Sequence, residues 1–195
     1  MSDARPARWI AASALWGFAE ATVFFVVPDV ILTFAAVRCG WRTGLIAALA
    51  ASVAAAVGGI GVYLVTAGGT DTLALFETLP AISTYMVAEV RAAMEDASWP
   101  WLMLDGSFSG IPYKLYAASA AEAGTPLLAF ALLSVPVRLM RFVLLAGLAS
   151  LLRPLLLRWL GPRLALLPLA ALWIAFYAAF WIRMPGCSAP AIDET

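Results

Sequence analysis

Histidine is absent from this 195-residue chain, and cysteine occurs only twice, as Cys39 and Cys187. Without histidine the side chain most used as catalytic base, metal ligand and proton shuttle is missing. Ser-His, Cys-His and His-Glu-x-x-His arrangements are excluded together, so no enzyme, metal or cofactor is expected. The two cysteines stand far apart with no second cysteine or histidine beside them, which indicates neither a disulfide framework nor a zinc site. Charge is also scarce: 12% of residues are charged, twelve bases against twelve acids, where a soluble domain carries about 25%. A net charge of zero gives no reason to expect nucleic acid or an acidic partner. Lysine is reduced to Lys114, and with the wealth of alanine and arginine this points to a GC-rich bacterial genome.

What the chain has in excess is apolar surface. Apolar residues make up 64% of it, against about 45–50% in a soluble domain, so too few polar side chains remain to coat a globule. The reading is a single all-α domain over residues 1–195, a polytopic membrane helical bundle. Four stretches reach the roughly 20 apolar residues that a crossing needs: Ile10 to Val37, Leu45 to Ala67, Leu127 to Leu152 and Leu164 to Ile182. The first follows Arg5 and Arg8 and is too long for the apolar region of a signal peptide, about 7–15 residues, and it contains Glu20 and Asp29. It is therefore read as mature protein, and Arg38 beside Cys39 argues against lipoprotein-type processing.

Pro28-Asp29 interrupts that first stretch, where proline breaks a helix and aspartate favours the start of the next. Arginines flank both of its ends, Arg5 and Arg8 before, Arg38 and Arg42 after. By the positive-inside rule both ends then lie on the cytoplasmic side, which fits a re-entrant hairpin over 10–37 rather than one crossing. Residues 45–67 would cross outward, delivering the acid-rich segment 70–98, whose Leu75, Leu79, Ile82, Met86 and Val90 at helical spacing predict an amphipathic surface helix. Residues 99–123 are apolar but broken by Pro100, Gly106, Gly110 and Pro112, and are read as a second re-entrant hairpin entered from outside. Residues 127–152 cross inward to Arg153, Arg158 and Arg163, and 164–182 cross outward to Asp193 and Glu194. This arrangement gives the inner face seven arginines and one acid, and the outer face eight acids and two arginines. Two opposed hairpins, each followed by a helix, make an inverted repeat, with about three full crossings in all.

Six ionisable residues are left at membrane depth: Glu20, Asp29, Lys114, Glu122, Arg138 and Arg141. Glu20 falls about ten residues into the first arm, roughly 15 Å deep at 1.5 Å per residue. Intramembrane charge is costly and marks ion or substrate paths, the bland alternative being a protonated carboxyl that only packs. Asp29 either caps the returning arm or faces a site between the hairpins. Lys114 either meets Asp29 or an anionic headgroup, or snorkels to an interface. Arg138 and Arg141, three apart, share one helical face, and the guanidinium fork suits phosphate oxygens; the same pair would equally neutralise two acids. Pro136 ahead of them marks a kink or helix break, and Glu122 reads as interfacial. The glycines of AVGGIGVY lack the strand context and spacing of a nucleotide loop. They read as packing residues, with Ala51, Ala55 and Gly59, and Ala48, Ser52 and Ala56, as small-residue faces for close helix contact. Trp99, Trp101, Trp173 and Trp181 fall near span ends as an aromatic belt would.

The segments WGFAEATVFFVVPDVIL, GLIAALAASVAAAVGGIGVYLV, GIPYKLYAASAAEAG and PVRLMRFVLLA, in this order from about Trp16 to Leu145, resemble the DedA superfamily of membrane proteins. This is the family of the VTT, or SNARE-associated, domain, and the likeness is strongest to its short YqaA-like branch. The resemblance implies two re-entrant hairpins facing each other and a role in moving lipids, polyprenyl phosphates or phospholipids, across a bilayer with proton coupling. Carried over, Glu20 and Asp29 match the family's embedded acids and would couple protons, since burial favours the neutral carboxyl and brings its titration toward neutral pH. Lys114, Arg138 and Arg141 match its basic positions and would bind the lipid phosphate. Larger members carry an arginine ahead of the second proline, where this chain has SFSGIP. The expected function is thus a transporter or scramblase for an anionic lipid in a bacterial inner membrane, its N-terminus cytoplasmic and its partners membrane lipids and protons. The rival readings are a small-ion or solute carrier using the same charges and a non-transporting structural or assembly factor.

Overall fold

A computed structural model describes residues 6–79 and 82–183; Asp3, Arg5, Cys187 and the acidic tail Asp193–Glu194 lie outside the described residues. Nine helices and no strand occur among the described residues. The first apolar stretch is two helices. The first of them is α1 (Pro6–Thr22). The helix stops where Thr22 bonds back to Phe18 O and Ala19 O and Pro28 denies Val27 the helical region. α2 (Asp29–Cys39) then runs to Gly40, whose φ of +90° is left-handed and turns the chain directly into α3 (Trp41–Ala67). A side chain at that corner would be strained.

The expected surface helix over 70–98 is instead two, α4 (Thr72–Glu77) and α5 (Thr84–Glu95), capped by Asp71 and Ser83, which accept from Ala74 N and Met86 N. Of the apolar residues read as its buried face, Leu75 points outward, Val90 is buried, and Leu79, Ile82 and Met86 pack on the core. The second broken stretch is α6 (Trp99–Ser109), a Gly110-Ile111-Pro112 break with Gly110 left-handed, and α7 (Tyr113–Glu122). α8 (Leu127–Leu164) does not end near Leu152 but continues past Arg153 and Arg158 to a kink at Gly161, with Arg163 beyond it. Pro136 does not break it either: within α8 only Gly161 departs from helical dihedrals. α9 (Leu167–Arg183) completes the bundle.

The packing inverts that of a water-soluble helix. α3 buries its small residues, among them Gly44, Ala48, Ala51, Ser52, Ala55 and Gly59, and turns Leu45, Ile46, Leu49, Val53, Val57 and Leu64 outward. Small residues let helix backbones approach: a Cβ added at Gly17 of α1 would fall 2.4 Å from Ala51 O, and one at Gly58 3.0 Å from Phe18 O. Of the small residues read as packing faces, Ala51 lies in the α1–α3 contact, while Gly59 lies against Tyr113 of α7. α8 behaves likewise, hiding Ser134, Ala146 and Ala149 while Leu128, Leu132, Met140, Leu144 and Leu151 face out. Burying alanine and exposing leucine makes sense where the surroundings are as apolar as the side chains, because helix association then rests on close packing rather than on hiding apolar area. α3 and α8, 27 and 38 residues long, exceed the roughly 30 Å of hydrocarbon at 1.5 Å per residue.

The two broken stretches interlock with these long helices. α1 lies along α3 and α6 along α8, while each returning arm also engages the long helix of the other half, α2 on α8 and α7 on α3. α7 is the central element, buried from Tyr113 through Ala120.

Candidate functional site

Both helix breaks open onto one cavity of about 350 Å³. Its polar wall comprises Glu20 of α1, Lys114 of α7, and Arg138 and Arg141 of α8; its apolar wall includes Phe24, Phe25, Met86, Phe142, Phe176 and Phe180. Asp29 stands behind the wall, fully buried, with its Oδ2 2.5 Å from Arg141 Nη2. Arg138 pairs with Glu20 through Nη2 and Oε2. The five residues expected from the sequence therefore gather in one place, whereas Glu122, the sixth, pairs with Arg91 across α5 and α7 on the exposed side of the bundle.

Several local expectations are corrected. Asp29 does not cap α2: Pro28 is the N-cap residue with no side-chain bond, and the carboxylate goes to Arg141. A fully buried carboxylate gains more from a cation than from an amide already at the helix end. Lys114 neither snorkels nor meets Asp29. It is 1% exposed, donates from Nζ to Phe24 O at 2.9 Å, lies 5.6 Å from the Phe76 ring centroid, and forms no salt bridge among the described residues. Of the four tryptophans read near span ends, Trp101 and Trp181 are exposed, the latter meeting Phe25 edge-on, while Trp99 packs on the core and Trp173 donates to Thr33 Oγ1.

The breaks are held by Lys114 and Arg141, which the sequence marks as buried charges, and by Trp16 and Tyr177, which it does not mark. Non-helical backbone has unpaired polar groups that apolar surroundings do not satisfy, so it needs internal partners or a cavity. In the Val23–Pro28 break, Val26 O accepts from Trp16 Nε1 at 2.8 Å, Val27 N donates to Tyr177 Oη at 2.9 Å, and Phe24 O takes Lys114. At the second break Arg141 Nη1 reaches Ser107 O near the end of α6. Each break thus gives a carbonyl to a cation, Phe24 O just beyond α1 to Lys114 and Ser107 O in the last turn of α6 to Arg141. Each also starts a helix, α2 at Pro28 and α7 at Pro112, both in the cavity wall, and the first-turn N–H groups of a helix favour anions. Nothing local marks Trp16 or Tyr177 for this role: they stand 10 and 150 positions from the backbone groups they bond.

Arg138 is fixed with particular care. Its Cζ lies 4.6 Å from the Tyr113 ring centroid and 5.1 Å from that of Phe142. Tyr113 itself donates to Ser134 Oγ at 2.8 Å and stacks on Phe130, centroids 5.8 Å apart and planes at 9°.

Fold and site together define an all-helical chain with two helices long and apolar enough to cross a membrane and a charged cavity between paired helix breaks. No family model matches the chain, and no curated protein or solved structure matches it.

Proposed function

We propose that the chain is an integral membrane protein of DedA type, a transporter or scramblase for an anionic lipid such as a polyprenyl phosphate or phospholipid, with Glu20 and Asp29 exchanging protons. On this reading the two broken stretches are re-entrant hairpins of an inverted repeat, in a bacterial inner membrane with the N-terminus cytoplasmic. The observation that carries the proposal is the composition of the cavity. Three basic side chains, Lys114, Arg138 and Arg141, gather with two acidic ones, Glu20 and Asp29, one base in excess among the described residues and beside aromatic walls. An apolar chamber with an excess cation and two helix starts suits a ligand with an anionic head and an apolar body. Lys114, held among the described residues by a carbonyl and a ring and by no carboxylate, is the cation most easily given to a phosphate.

In proteoliposomes, headgroup-labelled anionic lipid is expected to redistribute between leaflets with the wild-type protein and to stop doing so with Lys114→Met. Labelled lipid that stays in place with wild-type protein at every pH tested would overturn the proposal. One observation favours a second reading, a structural or assembly factor: each carboxylate already has its arginine. That reading expects the Glu20→Gln, Arg138→Met double variant to support the same cellular phenotype as wild type, whereas the transport reading expects it to fail.

A further inference from the structure

We infer that Tyr113 is the positioning residue that presents Arg138 to the cavity, and that Gly59 exists to make room for it. The inference deepens the anion-binding reading of the cavity and rests on it for its functional meaning, but the geometry stands by itself. A guanidinium on a flexible stem has many orientations, and only one sets its fork toward a ligand. Here Tyr113 and Phe142 both lie within cation–π range of it, and Glu20 holds Nη2. Nε is buried without a partner, and Nη1 forms no hydrogen bond among the described residues. Nε lies on the Nη2 side of the guanidinium and is buried, so it does not make a fork with Nη1; Nη1 is the group left to donate to an anion oxygen in the cavity. Phe142 follows Arg138 by four residues on α8 and accompanies it wherever the helix goes. Tyr113 comes from α7, at the second helix break, and ties the orientation of Arg138 to the position of that break.

The Tyr113 ring is itself immobilised. It is 4% exposed, its hydroxyl bonds to Ser134 Oγ, which in turn donates to Phe130 O at 2.7 Å, and a Cβ at Gly59 would fall 2.4 Å from Tyr113 Oη and 2.7 Å from Cε1. A methyl group at position 59 would therefore push the ring out of register with the guanidinium.

The test is arginine-selective dicarbonyl modification of the purified full chain in nanodiscs, read at Arg138 and Arg141 by mass spectrometry, with and without inorganic phosphate. Tyr113→Leu and Gly59→Ala are expected to speed modification of Arg138 by roughly tenfold and to abolish its protection by phosphate, with Arg141 unchanged. Tyr113→Phe, which keeps the ring, is expected to behave as wild type, and it guards against mistaking unfolding for loss of positioning. An Arg138 rate and phosphate protection that are the same in wild type and folded Tyr113→Leu would overturn the positioning role. If Tyr113 governs the Arg138 rate but phosphate protects it in no variant, positioning is upheld and it is the anion-binding reading of the cavity that fails.

Discussion

At the scale of single residues the decisive quantity is the cost of charge without water. Glu20 and Arg138 each have side chains 7% exposed and each is the other's ion partner. Removing one member of a buried pair leaves the other uncompensated, which costs about 3–5 kcal/mol, whereas removing both is often close to neutral. Glu20→Gln is therefore expected to lower stability by about 3–5 kcal/mol, and the Glu20→Gln, Arg138→Met double variant to recover most of that loss; thermal unfolding in detergent measures both. A double variant no more stable than Glu20→Gln alone would mean that the pair is not the source of the stability. The sequence marked these residues because an ionisable group in an apolar run is conspicuous. It did not pair them, since Glu20 and Arg138 are separated by 118 positions and either arginine suits either acid. Tyr113 and Tyr177 went unmarked for the opposite reason: aromatic residues in apolar helices are ordinary, and only their three-dimensional neighbours distinguish them.

At the scale of elements, glycine and proline did most to reveal the fold, but not uniformly. Pro28 and Pro112 each start the returning arm of a broken stretch, as expected, while Pro136 and Pro154 sit within a helix that continues through them. A proline's effect depends on whether its neighbours can satisfy the freed carbonyl, which sequence does not show. Glycines separate the same way. A Cβ at Gly17 meets backbone, Ala51 O at 2.4 Å, whereas at Gly61 nothing lies within 4 Å. Because a backbone carbonyl does not move aside without shifting a helix, Gly17→Ala is expected to destabilise by about 1–3 kcal/mol. Gly61→Ala, in the same apolar environment, is expected to be neutral or to stabilise by up to about 1 kcal/mol. Melting temperatures of the two variants side by side check this, and equal shifts would contradict the α1–α3 contact.

At the scale of the whole molecule, the arrangement of outward leucine and inward alanine on α3 and α8 bears on where the protein sits and how it is oriented. The hairpin reading places both ends of the α1–α2 stretch on one side of the bilayer and the α4–α5 segment on the other. In a background with Cys39→Ser and Cys187→Ser, Arg8→Cys and Arg42→Cys are expected to react with an impermeant maleimide from the same side, and Glu77→Cys from the opposite side. Labelling of positions 8 and 42 from opposite sides would replace the hairpin with a single crossing and remove the inverted repeat. Among the described residues the inter-element salt bridge on the acid-rich segment, Arg91 with Glu122, is half exposed and contributes at most about 1 kcal/mol, so orientation does not depend on it.

Composition and the spacing of apolar runs, prolines and charges were enough to determine an all-helical chain with crossing-length helices, two interrupted stretches and a handful of charges out of water, because each of these follows from what one segment does by itself. Which acid meets which base, which side chains bond the exposed backbone of the breaks, and that both breaks share a single cavity were decided only by the tertiary structure. Those are relations between segments up to 150 positions apart, as Val27 and Tyr177 are, and many pairings satisfy the same local chemistry until close packing of small residues selects one.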